Sequence, residues 1–108
     1  MIKEIETTEL AELKEQGSAV RVIDVRQPAE LQSGVIPGAE GLPMHTIPLR
    51  MSELERDVKL ILVCRSGARS AQACMYLMQQ GYENVFNLRG GMMAWHGNGH
   101  EIGLPQTA

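Results

Sequence analysis

The run "LILV", Leu60 to Val63, constrains this chain more than any other stretch. Four adjacent apolar side chains cannot alternate between core and solvent, so a strand made of them is covered on both faces. Such a strand belongs to a parallel sheet with helices above and below it. The neighbouring patterns supply the partners. "AVRVIDV" alternates, is β-branched and reads as a strand ending near Val25, and "NVFNL" reads as another. "EIETTELAELKEQG" starts with a short strand-like piece and continues as a helix. Thr7 or Thr8 can cap that helix, Leu10 and Leu13 share a face, and Gly17 stops it. Pro28 suits the first turn of a short helix, "PAELQSG". "VIPGAEGLPMHTIP" reads as a long irregular connection with room for a short strand, and "LRMSELERD" as a short helix. "ARSAQACMYLMQQG" is the strongest helix pattern. Its apolar face holds Ala71, Cys74, Tyr76 or Leu77, and Met78, and Gly81 ends it. "GGMMAWHG" predicts a short helix closed by Gly97, followed by a strap over residues 97–108 with a frayed, partly flexible end. Strands alternating with helices predict one α/β domain over residues 1–108, with a central, mostly parallel sheet.

Composition narrows the setting. The chain has 108 residues, the size of one domain, and 44% of them are hydrophobic. Aromatics are 4%, so the core is aliphatic, and the seven methionines suit gap-filling within it. The net charge of −3 and the scattered basic residues argue against a nucleic-acid binder. No apolar stretch has the length of a membrane span, and "MIKEIETTEL" is no signal peptide. The expected location is therefore cytoplasmic and reducing, with both cysteines as free thiols. Cys64 and Cys74 match no C-x-x-C redox or zinc pattern.

In parallel sheets, ligands sit beyond the carboxyl ends of the strands, and Cys64 stands at such an end. "VCRSGARSA" must turn tightly there and enter a helix. The free N–H groups of the turn and of the helix start can converge into an anion cradle, which Gly67 makes sterically possible. A thiol at the base of that cradle would be acidic. Arg65 and Arg69 add forked cationic donors for an oxyanion. The pattern suits an anionic nucleophile attacking an anionic substrate. Cys74, in mid-helix on an apolar face, is read as packing.

The segments "VIDVRQPAE", "GVIPGA", "VCRSGARS" and "LRGGMMAW" together resemble the rhodanese family of single-domain sulfurtransferases over nearly the whole chain. The resemblance implies a three-layer α/β fold and a cysteine that carries sulfane sulfur as a persulfide. By that likeness Cys64 is catalytic. Arg65, Ser66, Gly67, Ala68 and Arg69 form the substrate-binding loop, and Asp24 and Arg26 brace it. It implies thiosulfate as the donor and cyanide, a thiol or a sulfur-carrier protein as the acceptor, without cofactor or metal. Two departures, Val35 where a histidine usually precedes "IPGA" and Gly41 near the place of an asparagine, fall in the connecting segment.

Other readings are weaker. Cysteine phosphatases use C-x₅-R, but Arg69 comes one residue too early, and the shorter loop suits a sulfur atom better than a phosphate. A phosphatase or arsenate reductase is therefore disfavoured. A persulfide relay or binding module that serves a protein partner is compatible with the same residues. Asp24 and Glu30 could form an acid/base pair, which sulfur transfer to a thiolate does not need. His96 and His100 stand four apart, but "HGNGH" is too glycine-rich for a helix that would make them metal ligands. Trp95 is assigned to the core.

Overall fold

Five strands and five α-helices alternate through residues 1–105, the residues that the computed structural model describes. They are β1 (Glu4–Ile5), α1 (Thr7–Glu15), β2 (Val20–Asp24), α2 (Pro28–Leu31), β3 (Glu40–Gly41), α3 (Ile47–Arg50), β4 (Lys59–Val63), α4 (Ala68–Gln79), β5 (Val85–Leu88) and α5 (Gly91–Gly97). The strand order is β1-β5-β4-β2-β3, and every strand pair is parallel. This is the α/β architecture expected from the sequence.

The apolar run works as its composition demands. Leu60 and Leu62 face a cluster that includes Ala73, Cys74 and Leu77 of α4, and Cys64 continues that face. Ile61 and Val63 face the opposite cluster, with Leu10 of α1 and Met92 and Trp95 of α5. Residues 60–63 are fully buried. Each such aliphatic side chain contributes about 1.5–3 kcal/mol. Two covered faces give three layers, and they fix the carboxyl end of β4 between α4 and α5.

Several local expectations need correction. Neither Thr7 nor Thr8 caps α1. Glu6 does, in a reciprocal capping box with Glu9, and the Thr7 hydroxyl instead accepts a hydrogen bond from Asn98 Nδ2 at 2.8 Å. The expected helix over residues 49–57 is split into α3 and a 3₁₀ turn at Met51–Glu53. The Tyr82 hydroxyl lies 2.9 and 3.0 Å from the Met51 and Leu54 carbonyl oxygens, outside any helical ladder. On α4 the buried face holds Ser70, Ala73, Cys74 and Leu77, while Ala71, Tyr76 and Met78 are half-buried. Two hydrogen bonds draw Ser70 inward and rotate the face by one residue.

The strap after α5 turns back over the connecting segment. Gly103 and Val35 exchange backbone hydrogen bonds of 2.9 and 2.8 Å, and Trp95 Nε1 donates to the Glu101 carbonyl at 2.7 Å. Residue 35, where the family pattern has a histidine, is thus tied down by the strap backbone. The strap's expected frayed end, residues 106–108, lies outside the described residues.

Candidate active site

The site grows from the end of β4. The chain leaves the sheet at Cys64 and reaches Gly67, whose φ of +101° suits a residue without Cβ. Gly67 caps α4, so the positive end of a 12-residue helix starts beside the sulfur. Cys64 is only 1% exposed. The Gly67 N–H donates to its Sγ at 3.0 Å and the Ser70 hydroxyl lies 3.3 Å away. Burial pushes the thiol pKa up. The Ser70 hydroxyl and the backbone N–H groups of Ser70, Gly67 and Ser66 outweigh burial, and the net pKa falls below the ordinary value. Cys74 shows the contrast. It too is buried, no hydrogen-bond donor reaches it among the described residues, and burial with a smaller contribution from Glu4 pushes it up to about 12.

Behind the cradle lies a buried polar chain. Ser70 also bonds Asn87 Oδ1. Asn87 Nδ2 donates to the Gly67 carbonyl at 3.1 Å and reaches Glu4 Oε2 at 3.3 Å. Because the Gly67 carbonyl only accepts, the Asn87 amide has one usable orientation, with its oxygen towards Ser70. The other wall is α5. Its Met92 and Met93 N–H groups donate to the carbonyls of Cys64 and Arg65 at 2.9 and 3.0 Å. That approach needs a bare Gly91, where a Cβ would sit 2.4 Å from the Cys64 carbonyl oxygen.

The charged residues take different places. Arg65 is exposed, has no acidic partner among the described residues, and lines a cavity of about 420 Å³ with Arg26, Glu30, Met92, Met93 and His96. Ser66 and Ala68 are exposed on the outer side of the turn. Arg69 forms a bidentate pair with Glu30, both contacts 2.8 Å. Asp24 and Arg26 form a buried pair at 2.8 Å. The pair braces a different segment from the one expected: Arg26 donates to the Gly34 carbonyl at 2.9 Å and the Glu30 carbonyl at 3.4 Å. Among the described residues no hydrogen bond runs from either residue to residues 64–69. The reason is geometric, since the Arg26 side chain extends along the turn after α2. Asp24 and Glu30 each hold an arginine, so neither stands as a free acid or base.

Ser70 and Asn87 are the site residues that sequence reasoning missed. The serine beside Arg69 in "CRSGARS" was the available signal for the first. Asn87, and the place Glu30 takes beside Arg69, depend on contacts remote in sequence.

An acidic thiol at a strand-to-helix turn, met by N–H and hydroxyl donors and followed by an exposed arginine, marks an α/β domain built around a buried, acidic cysteine. The chain belongs to the rhodanese-like domain family, whose model matches residues 6–98. A sulfurtransferase of Allochromatium vinosum is 50% identical over 106 residues, 98% of this chain and 99% of the relative. The thiosulfate sulfurtransferase GlpE of Pseudoalteromonas translucida is 39% identical over 93 residues, 86% of this chain and 88% of the relative. The crystal structure of a rhodanese-related protein from Thermoplasma volcanium superimposes with a TM-score of 0.87 at 33% identity, covering 95% of this chain and 99% of that one.

Proposed function

We propose that this chain is a sulfurtransferase that moves a sulfane sulfur to a thiophilic acceptor through a persulfide on Cys64. The observation that carries this reading is the cradle. The Gly67 N–H and the Ser70 hydroxyl reach Sγ, and with the backbone N–H groups of Ser70 and Ser66 they lower its pKa. Thiosulfate serves as a donor. The Cys64 thiolate attacks its outer sulfur, the S–S bond of the donor breaks, and sulfite leaves with the bonding pair. Cys64 then carries a persulfide anion, held by the N–H groups of residues 66–70. An acceptor thiolate, a carrier protein's sulfur or, in an assay, cyanide attacks the outer sulfur and returns the Cys64 thiolate. Arg65 meets the incoming anion at the mouth. Arg69 shapes the loop and its charge environment.

Intact mass spectrometry after exposure to thiosulfate tests the reading. The expected result is the gain of one sulfur atom, its removal by cyanide, and no gain in Cys64→Ser. A wild-type chain that takes up no sulfur from thiosulfate or any other sulfane donor overturns it.

A further inference from the structure

Three arginines follow the carboxyl ends of β2 and β4, and among the described residues only one of them lacks an acidic partner. Arg26 is neutralised by Asp24 and Arg69 by Glu30, which leaves Arg65. With Cys64 ionised, this group of residues is formally neutral. Thiosulfate brings two negative charges to it. A donor that enters the cavity beside Arg65 meets the Glu30 carboxylate, which lines the same cavity. That carboxylate stays ionised in any ordinary buffer. The Arg69 guanidinium and the Gln27 N–H hold its pKa down to about 2. The cavity also offers what an inorganic dianion does not use. Met92, Met93 and Ile102 give it an apolar wall, and its volume of about 420 Å³ is that of a small-molecule site.

We propose that Glu30 sets donor choice: by cancelling Arg69 it steers the site away from a dianion and towards a singly charged organic sulfane donor, whose organic group lies on Met92, Met93 and Ile102. This rests on the sulfur-transfer reading and refines its donor. The chemistry is a terminal sulfur carried on an organic group, as in a thiosulfonate or an organic persulfide. With a thiosulfonate, the Cys64 thiolate attacks the terminal sulfur, the S–S bond breaks and a sulfinate leaves. With an organic persulfide, a thiolate leaves. Each reaction begins and ends with two negative charges.

Glu30→Gln is the direct probe. Gln at this helix position still accepts from the Gln27 N–H, so the capping box of α2 survives while the charge is lost. Sulfur transfer to cyanide is measured with thiosulfate, methanethiosulfonate and benzenethiosulfonate. The wild type is expected to show its highest kcat/KM with benzenethiosulfonate and its lowest with thiosulfate. Glu30→Gln should raise kcat/KM for thiosulfate by roughly three- to tenfold, the range for a half-exposed charged contact. The thiosulfonate values should rise by a smaller factor, since a single charge gains less from the freed guanidinium. The double variant Glu30→Gln/Arg69→Ala restores the original charge and should restore the wild-type donor ratio. A ratio of thiosulfate to thiosulfonate kcat/KM in Glu30→Gln that is unchanged or lower overturns the assignment and leaves the sulfur-transfer reading standing. Absence of transfer from all three donors in the wild type overturns both.

Discussion

Ser70→Ala isolates the one side chain that, among the described residues, hydrogen-bonds the Cys64 sulfur. The hydroxyl owns a single proton and has two claimants, Cys64 Sγ and Asn87 Oδ1. Over a neutral thiol the proton goes to Asn87; over the thiolate it turns to sulfur. A hydrogen bond to a charged group contributes about 1.5–3 kcal/mol, and surrendering the neutral bond to Asn87 costs about 0.5–1.5 kcal/mol. The difference, about 1–1.5 kcal/mol, corresponds to roughly one pH unit. Removing the hydroxyl should therefore raise the Cys64 pKa by about one unit. The pH dependence of alkylation by iodoacetamide reads this directly, because only the thiolate reacts and Cys74, pushed up to about 12, stays protonated. Stability gives a second readout. The wild-type thiol pKa lies below the ordinary 9.0, so the ionised form adds stability that is fully present above that value and lost as pH falls through the Cys64 pKa. In Ser70→Ala that alkaline gain should shrink. An unchanged inflexion in the alkylation profile would show that the backbone N–H groups alone set the acidity.

Cys64→Ser should abolish persulfide formation while melting close to wild type, checked by mass spectrometry and thermal unfolding. Cys74→Ser should keep sulfur transfer and lose about 1–2 kcal/mol, from a hydroxyl buried without a partner, in denaturant titration. Gly91→Ala should cost more than about 2 kcal/mol and slow Cys64 alkylation at neutral pH, because its Cβ would collide with the Cys64 carbonyl. Arg26→Ala should be among the most destabilising changes, about 3–5 kcal/mol, since it strands the buried Asp24 carboxylate.

The periodic parts of the chain were legible in the sequence because burial writes itself into spacing. Residues 60–63 announced a two-faced strand, and the alternation around residues 20–25 announced its neighbour. The cradle was legible because Gly67 and a helix start leave few other conformations for the turn. What stayed hidden joins residues far apart. Arg69 read as a donor to substrate, yet Glu30, remote in sequence, claims both of its nitrogens. Asp24 and Arg26 were read as bracing the cysteine loop, and Arg26 instead holds the turn after α2. Ser70 looked like an ordinary first-turn residue until the fold placed Asn87 beneath it. The one-residue error on the α4 face has the same origin, since side-chain spacing does not reveal a polar group pulled inward by a buried partner.

The contact between α5 and the turn has a consequence for when the nucleophile is made. A trans peptide points its C=O and N–H in opposite directions. By binding the Cys64 and Arg65 carbonyls, the Met92 and Met93 N–H groups turn the next two amides away from α5, and the Ser66 N–H then acts on the sulfur. On a growing ribosomal chain, β4, the turn and α4 all emerge before residues 91–93. Until those residues dock, nothing fixes those two peptide planes. Full reactivity of Cys64 is thus a late product of folding, switched on by a helix that contributes no side chain to the cradle.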